Sequence, residues 1–195
     1  MNLHHRDDFL TFTSVFLFGL LLITVGLAHA AGIKPLGNIT WTVWDFLTGA
    51  VAGVLMMAVF GLISPLRQEA EDILGAPLAA CRWYDLALMA ILVGIIEELL
   101  FRGVLEPWMA RWNALAAFVI VNVIFGALHS VSLLYAAVAT TLGCILSWLT
   151  HGIGEFNLLR PIVAHAVYDF VGFAWIAASY SRSHPSGPPQ PETPD

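Results

Sequence analysis

The sequence has little charge for its length. Charged residues make up 11% of its 195 residues, whereas an ordinary soluble domain carries about 25%. A chain with so few charged side chains cannot cover its surface in water, which excludes a soluble globular protein. Hydrophobic residues make up 58% of the chain, which is enough for several membrane spans of roughly 20 residues each.

Several functional signatures are also missing. The sequence has no basic stripe, so nucleic acid is not an expected partner. Its two cysteines, Cys81 and Cys144, form no metal or redox motif. No Gly-x-Ser-x-Gly nucleophile motif and no His-Glu-x-x-His zinc helix occurs. These absences leave no simple motif for a serine or zinc hydrolase.

Six apolar segments follow one another, with short polar joints between most of them. They are residues 9–30, 44–63, 84–105, 114–130, 132–150 and 159–179. The stretch 114–150 is apolar enough to be one helix, but it would then be roughly 55 Å long, too long for a hydrocarbon core of about 30 Å. It must therefore break at the polar residues 129–132. The segments predict an all-α fold, a polytopic transmembrane helical bundle of about six spans.

The first apolar run is interpreted as a retained span. Its apolar part from Phe9 to Leu27 precedes Ala28-His29-Ala30, which resembles a signal-peptidase site, but it is longer than the roughly 7–15 apolar residues of a cleaved signal. Loop lysines and arginines divide four against four between the two sides. The positive-inside rule therefore does not decide the orientation.

We expect three parts along the chain. Residues 1–80 would hold the first two spans and a short interfacial helix at 66–74, where charged residues stand beside Leu and Ile. Residues 81–180 would form the helical core that carries the functional groups. Residues 181–195 contain five prolines and are expected to form a disordered tail.

Six ionisable residues lie inside the predicted spans, where each costs about 2.5–3.5 kcal/mol on insertion scales. They are Glu97, Glu98, Arg102, His129, His165 and Asp169. Alternation of the spans puts all of them at comparable depth, so they can converge on one site. A Glu–Arg pair can also be purely structural, and a membrane histidine can simply hydrogen-bond between helices. Together, however, six such groups favour a functional site.

Spacing along the helices indicates how these groups pair. Glu98 and Arg102 are four residues apart with the acid on the N-terminal side, so they can pair along one helix face. His165 and Asp169 repeat this spacing, so Asp169 can orient the imidazole. Glu97 lies about 100° around the helix from Glu98 and has no obvious local partner. That position leaves Glu97 available as a base.

Other polar residues are expected to be less informative. His29, His151 and His184 lie at or beyond span ends and should be solvated. Asp45 and Glu155 are interpreted as a helix-start acid and a loop acid. Most of the seven tryptophans flank the spans and are typical of an interfacial belt.

Three motifs in these spans resemble those of the CPBP family, which groups type II CAAX prenyl proteases with bacteriocin-processing and immunity proteins. The run Glu97-Glu98-Leu99-Leu100-Phe101-Arg102-Gly103 resembles the first motif. Phe125-Gly126-Ala127-Leu128-His129 is similar to the second, and His165-Ala166-Val167-Tyr168-Asp169 is similar to the third. All three occur in the family's order, and the resemblance covers roughly residues 82–178.

The resemblance implies a conical helical bundle with a water-filled site inside the membrane. It also implies a glutamate-dependent intramembrane endopeptidase that forms no covalent intermediate. Glu97 would be the general base that activates a water, assisted by His129. Glu98 and Arg102 would position Glu97.

The third motif would stabilise the oxyanion of the tetrahedral intermediate. The prenyl-protein branch of the family often has Asn at the position of Asp169. An ionised aspartate cannot donate a hydrogen bond to an oxyanion, so we expect Asp169 to orient a protonated His165 instead.

The expected partners are a membrane-delivered peptide or protein substrate and the lipid bilayer, and the expected location is a prokaryotic cell membrane. No cofactor is expected, the alternative being zinc held by the same residues. Two other functions stay open. One is a non-catalytic membrane scaffold or regulator of the same family. The less favoured one is a proton-coupled transporter, since the spans show no evident inverted repeat.

Overall fold

The computed structural model describes residues 5–184, and within that range it consists of helices joined by short turns, with no β-strand. The α-helices are α1 (Arg6–Ala31), α2 (Val43–Phe60), α3 (Ser64–Ala80), α4 (Trp83–Leu100), α5 (Glu106–Ala110), α6 (Ala114–Leu128), α7 (Leu133–His151) and α8 (Leu159–Ser183). A 3-10 turn at Pro35–Asn38 and a π-helical turn at Phe101–Leu105 complete these elements. The all-α prediction is confirmed.

The predicted apolar segments are all helical, but they differ in their ability to cross a membrane. By length and composition, three helices of the described range are long and apolar enough, namely α1, α7 and α8. Helices α2 and α3 meet at a bend of 102° and give a fourth span if they are counted together. Helix α6 has 15 residues, or about 22 Å at 1.5 Å per residue. The helices indicate an integral membrane protein, while the number of six spans stays a prediction.

Helix α8 lies at the centre of the described bundle and packs against α2, α3, α4 and α7. Two glycines let the backbone of α2 approach it closely. A Cβ added at Gly49 would lie 2.5 Å from the carbonyl oxygen of Arg160, and one added at Gly53 would lie 2.5 Å from that of Ala164. Small residues four apart are a common means of close helix contact in membranes.

Two further glycines let motif-bearing helices approach their neighbours closely. A Cβ added at Gly94 of α4 would lie 3.0 Å from the backbone nitrogen of Ala166 in α8. One added at Gly126 of α6 would lie 2.5 Å from the carbonyl oxygen of Ala136 in α7. Because larger residues would force these helices apart, the glycines bring the backbones of the motif-bearing helices close to their neighbours.

The break predicted at residues 129–132 is confirmed. Helix α6 ends at Leu128 and helix α7 begins at Leu133. The Ser132 hydroxyl accepts a hydrogen bond from the backbone N–H of Tyr135 at 3.1 Å. Such a cap satisfies one of the free N–H groups at a helix start, so the polar residues at the break stabilise the helix that follows.

The third apolar segment is less regular than predicted. Helix α4 stops at Leu100, and the chain continues through the π-helical turn Phe101–Leu105 into the short helix α5. Turns of this kind are found mostly as single insertions in helices, frequently at functional sites. Here the turn contains Arg102, one of the predicted site residues.

The interfacial helix predicted at residues 66–74 is the middle of the longer helix α3. The guanidinium of Arg67 lies 5.3 Å from the ring centre of Trp175 in α8. Glu69 accepts a hydrogen bond from the hydroxyl of Ser132 at 2.7 Å. These contacts hold α3 against α8 and against the start of α7. The boundary at residue 80 between the first two predicted parts of the chain falls at the end of α3.

The end of α8 differs from the predicted tail. The helix runs to Ser183, so residues 181–183 are helical rather than part of a disordered segment. The hydroxyls of Ser181 and Ser183 donate to the carbonyl oxygens of Ala177 and Ser179, at 2.8 and 3.1 Å. The rest of the predicted tail, residues 185–195, lies outside the described residues.

Asp45 is a structural residue as well as a helix-start acid. It lies in the first turn of α2 and is buried. Its carboxylate accepts hydrogen bonds from Nε of Arg160 at 2.5 Å and from Nδ2 of Asn157 at 3.0 Å. The pair links the start of α2 to the start of α8, a contact that sequence spacing could not reveal.

Candidate active site

The end of α4 brings two adjacent carboxylates into the bundle. Glu97 is buried, and Glu98 has no exposed surface. Oε1 of Glu98 accepts a hydrogen bond from Nη1 of Arg102 at 3.0 Å, and the guanidinium side chain is equally buried. The pairing predicted from their spacing is confirmed. A buried ion pair of this kind also needs partners for its remaining polar atoms.

Arg102 has those partners. Its Nη2 donates to Oδ1 of Asn122 at 2.9 Å and to the carbonyl oxygen of Gly143 at 2.8 Å, and its Nε donates to the hydroxyl of Ser147 at 3.4 Å. The guanidinium carbon lies 4.6 Å from the ring centre of Phe125, within cation–π range. A Cβ added at Gly143 would come within 2.7 Å of Asn122 Oδ1. The absence of a side chain at Gly143 therefore leaves room for the hydrogen bonds of Arg102.

His165 of α8 is bonded to the same carboxylate. Its Nδ1 lies 2.8 Å from Oε1 of Glu98, and because a carboxylate oxygen only accepts, Nδ1 is the donor. Its Nε2 lies 3.5 Å from Oδ2 of Asp169, longer than an ordinary hydrogen bond. Glu98 therefore holds the ring at Nδ1, because α4 packs on α8, while Asp169 lies at ion-pair distance from Nε2 as the spacing of the third motif predicts. The bond to Glu98 is a second contact that the spacing did not predict.

Glu97 faces both histidines. Its Oε2 lies 3.7 Å from Nε2 of His129 and 4.0 Å from Nε2 of His165. That oxygen is buried and has no hydrogen-bond partner within the described residues. Nδ1 of His129 donates to the carbonyl oxygen of Phe125 at 2.8 Å, which leaves Nε2 as the free ring nitrogen. The three motifs thus meet around one carboxylate oxygen, as their common depth predicts.

A cavity of about 150 Å³ lies beside these groups and is lined by His129, His165 and Asp169. Apart from two tyrosines and Arg67, the rest of its wall is mostly apolar and comes mainly from α2, α3, α7 and α8. One water occupies about 30 Å³ in the liquid. The cavity is therefore large enough for a few waters or for part of a peptide side chain.

A further buried carboxylate, Glu106, was not expected. Glu106 is buried and accepts a hydrogen bond from the hydroxyl of Ser147 at 2.7 Å. His151, expected to be solvated, is 47% exposed and places Nε2 3.3 Å from Oε1 of Glu106. A signal was present in the spacing, because Glu98, Arg102 and Glu106 are four residues apart in turn and would share one face of a regular α-helix.

Glu97 and the two histidines are of the types that bind zinc. Within residues 5–184, however, no three His, Cys, Asp or Glu side chains are arranged to hold a metal ion. The expectation of a site without a cofactor stays a prediction.

Residues 79–171 match the family model described as type II CAAX prenyl endopeptidase Rce1-like. These residues belong to the CAAX protease family. The matched stretch runs from the end of α3 into α8 and contains all three motifs, so the resemblance drawn from the motifs is confirmed. Membership supports a protease, and the apolar helices support its place in a membrane. Comparisons with curated proteins and with solved structures gave no match.

Proposed function

We propose that this chain is an intramembrane endopeptidase that hydrolyses a peptide bond with a water activated by Glu97. The observation that supports this most is the approach of Glu97 Oε2 to Nε2 of His129 and of His165, at 3.7 and 4.0 Å. Both rings are already held through Nδ1, so each Nε2 is free to act on a molecule beside Glu97. A positioned carboxylate next to imidazole suits general acid–base chemistry.

In the proposed reaction, Glu97 and His129 hold the water. Glu97 takes one of its protons while the water oxygen attacks the carbonyl carbon of the scissile peptide bond. Glu97 then passes that proton to the peptide nitrogen, the C–N bond breaks, and the products are a carboxyl group and an amine. The route needs no covalent enzyme intermediate.

His165 has a separate task in this proposal. The attacked carbonyl oxygen becomes an oxyanion, which fixed hydrogen-bond donors stabilise. In its doubly protonated form, His165 donates to that oxyanion from Nε2. Glu98 at Nδ1 and Asp169 near Nε2, at 2.8 and 3.5 Å, supply the counter-charge for that form. Arg102 acts indirectly by holding Glu98.

The proposed substrate is a peptide or protein tail delivered from the membrane. The mostly apolar wall of the cavity beside His129, His165 and Asp169 supports an apolar segment there. The name of the matched family makes a prenylated CAAX peptide the first probe to use. We further propose a multi-pass location in a prokaryotic cell membrane, catalysis without a metal, and no nucleic-acid partner.

The proposal is tested in cells by comparing membrane and secreted peptides made with the wild type and with Glu97→Gln. The variant keeps the side-chain volume and removes the base, so the wild-type cleavage products should vanish while the protein still accumulates. Glu155→Gln is the matched control, because Glu155 is an exposed carboxylate. The proposal fails if Glu97→Gln accumulates normally and produces the wild-type set of peptides, which would favour the scaffold function.

A further inference from the structure

Glu106 lies outside the proposed catalytic cavity but within the hydrogen-bond network of Arg102. It is 4% exposed, and its Oε2 accepts a hydrogen bond from the hydroxyl of Ser147 at 2.7 Å. Ser147 in turn is fully buried and lies 3.4 Å from Nε of Arg102. A buried carboxylate is costly unless it is bonded. The proposed reaction nevertheless gives Glu106 no task.

The carboxylate fixes the direction of the Ser147 hydroxyl. A serine hydroxyl has one proton to donate and two lone pairs to accept with. Because the carboxylate of Glu106 only accepts, the proton points to Glu106, and the lone pairs are left for Nε of Arg102 and for Nδ2 of Asn122 at 3.0 Å. Without Glu106, that proton would turn to Oδ1 of Asn122 at 3.3 Å, an oxygen that already accepts from Arg102.

The orientation of the Ser147 hydroxyl affects the catalytic cavity through Arg102 and two further hydrogen bonds. Arg102 donates to Oε1 of Glu98 at 3.0 Å, and His165 donates to the same oxygen at 2.8 Å. We propose that Glu106 is a positioning residue of the protease site, which orients Ser147 so that Arg102 and Glu98 hold His165 in place. This inference rests on the proposed function for its effect on catalysis, but not for its effect on the geometry of His165.

A second cavity makes Glu106 accessible to experiment. It has a volume of about 340 Å³ and is lined by Glu106, Ser147 and His151 together with mostly apolar residues of α5, α6 and α7. None of the proposed catalytic residues lines it. A small carboxylate in solution therefore has a way to the position of the Glu106 side chain that does not pass through the catalytic cavity.

The kinetic test uses Glu106→Ala and Glu106→Gln with a quenched fluorescent prenylated CAAX peptide. Residues that orient metal ligands commonly cost about 10–100-fold when lost, and we expect kcat of Glu106→Ala to fall on that scale with KM within about twofold. Glu106→Gln, whose amide oxygen can still accept from Ser147, should lose less. Formate, the smallest carboxylate, should restore much of the activity of Glu106→Ala and leave that of the wild type unchanged. Glu155→Gln is the control and should match the wild type. Unchanged kcat in both Glu106 variants, or a loss that formate leaves untouched, would overturn the inference.

A spectroscopic test separates this inference from the proposed function. In protein with isotope-labelled histidine, the Nδ1 proton of His165 should give a hydrogen-bonded resonance in wild type and in Glu155→Gln. That resonance should move in Glu106→Ala and return toward its original position with formate. If it moves while Glu97→Gln still cleaves the probe, the positioning role stands and the proposed function fails. If it stays unchanged in Glu106→Ala, the positioning role fails whatever the activity of the wild type.

Discussion

His165 donates a hydrogen bond from Nδ1 to Oε1 of the buried Glu98 at 2.8 Å. Arg102 donates to the same oxygen at 3.0 Å, so one atom ties the first motif to the third. The two adjacent glutamates of the first motif therefore differ in their surroundings. Glu97 lies near Nε2 of both His129 and His165, whereas Glu98 accepts a hydrogen bond from Nδ1 of His165. We infer that their tasks differ in the same way.

Glu98→Gln tests the supporting task. The amide carries no charge to neutralise Arg102, and removing one partner of a buried ion pair costs about 3–5 kcal/mol. We expect the free energy of unfolding in detergent to fall by that amount and cleavage of the probe peptide to fall with it. Glu155→Gln should change neither. A variant as stable as the wild type would show that Glu98 and Arg102 do not form a buried pair.

Gly143→Ala tests the close contact around Arg102. The new methyl group would meet Asn122 Oδ1 at 2.7 Å and Nη2 of Arg102 at 3.0 Å. Overpacking of this kind costs about 1–3 kcal/mol, so both stability and activity should fall. Gly26→Ala is the matched control, because a Cβ there meets nothing within 4 Å, and alanine in a helix should be slightly stabilising. Equal unfolding temperatures for the two variants would contradict the contact.

Asp169→Asn tests how the third motif acts. Oδ2 of Asp169 lies 3.5 Å from Nε2 of His165, so the substitution removes no short hydrogen bond. The new amide can donate to an oxyanion, which an ionised aspartate cannot do. We expect kcat to stay within about tenfold of the wild type, a difference of about 1.4 kcal/mol in the barrier, and Asp169→Leu to lose more. An asparagine variant as inactive as Glu97→Gln would show that the charge of Asp169 is required.

The three motifs and their convergence could be predicted because charge inside a membrane span is rare and costly. Glu98 and Arg102 pair as their spacing predicts, and Glu97 meets His129 and His165 as their depth predicts. The pairing of Glu98 with Arg102 follows from their spacing within one helix. The meeting of Glu97 with the two histidines follows from the alternation of spans across the membrane. That is why the sequence was sufficient for them.

Other contacts depend on residues far apart in the chain. Asp45 finds its partner in Arg160, which is 115 residues away, and no local pattern links them. Glu106 was missed for a different reason: its spacing from Arg102 is a signal, but Pro107 directly after it is typical of a joint between spans. The second partner of His165, Glu98, could not be predicted either, because it depends on the packing of α4 on α8.

Metal removal tests the proposed absence of a cofactor. We expect purified protein to cleave the probe peptide at an unchanged rate after treatment with a chelator, because a carboxylate base does not need a metal to deprotonate a bound water. Elemental analysis should find far less than one zinc per chain. Stoichiometric zinc, together with an activity that the chelator removes and zinc restores, would establish the zinc-dependent alternative.

The central claim is that Glu97 is the base, and the cleavage rate of purified Glu97→Gln in detergent measures this most directly. General acid–base catalysis contributes about 10²–10⁴-fold, so the rate should fall by at least a hundredfold while the unfolding temperature and the resonance of His165 stay close to those of the wild type. Cleavage within a few fold of the wild-type rate by a folded Glu97→Gln protein would contradict the account.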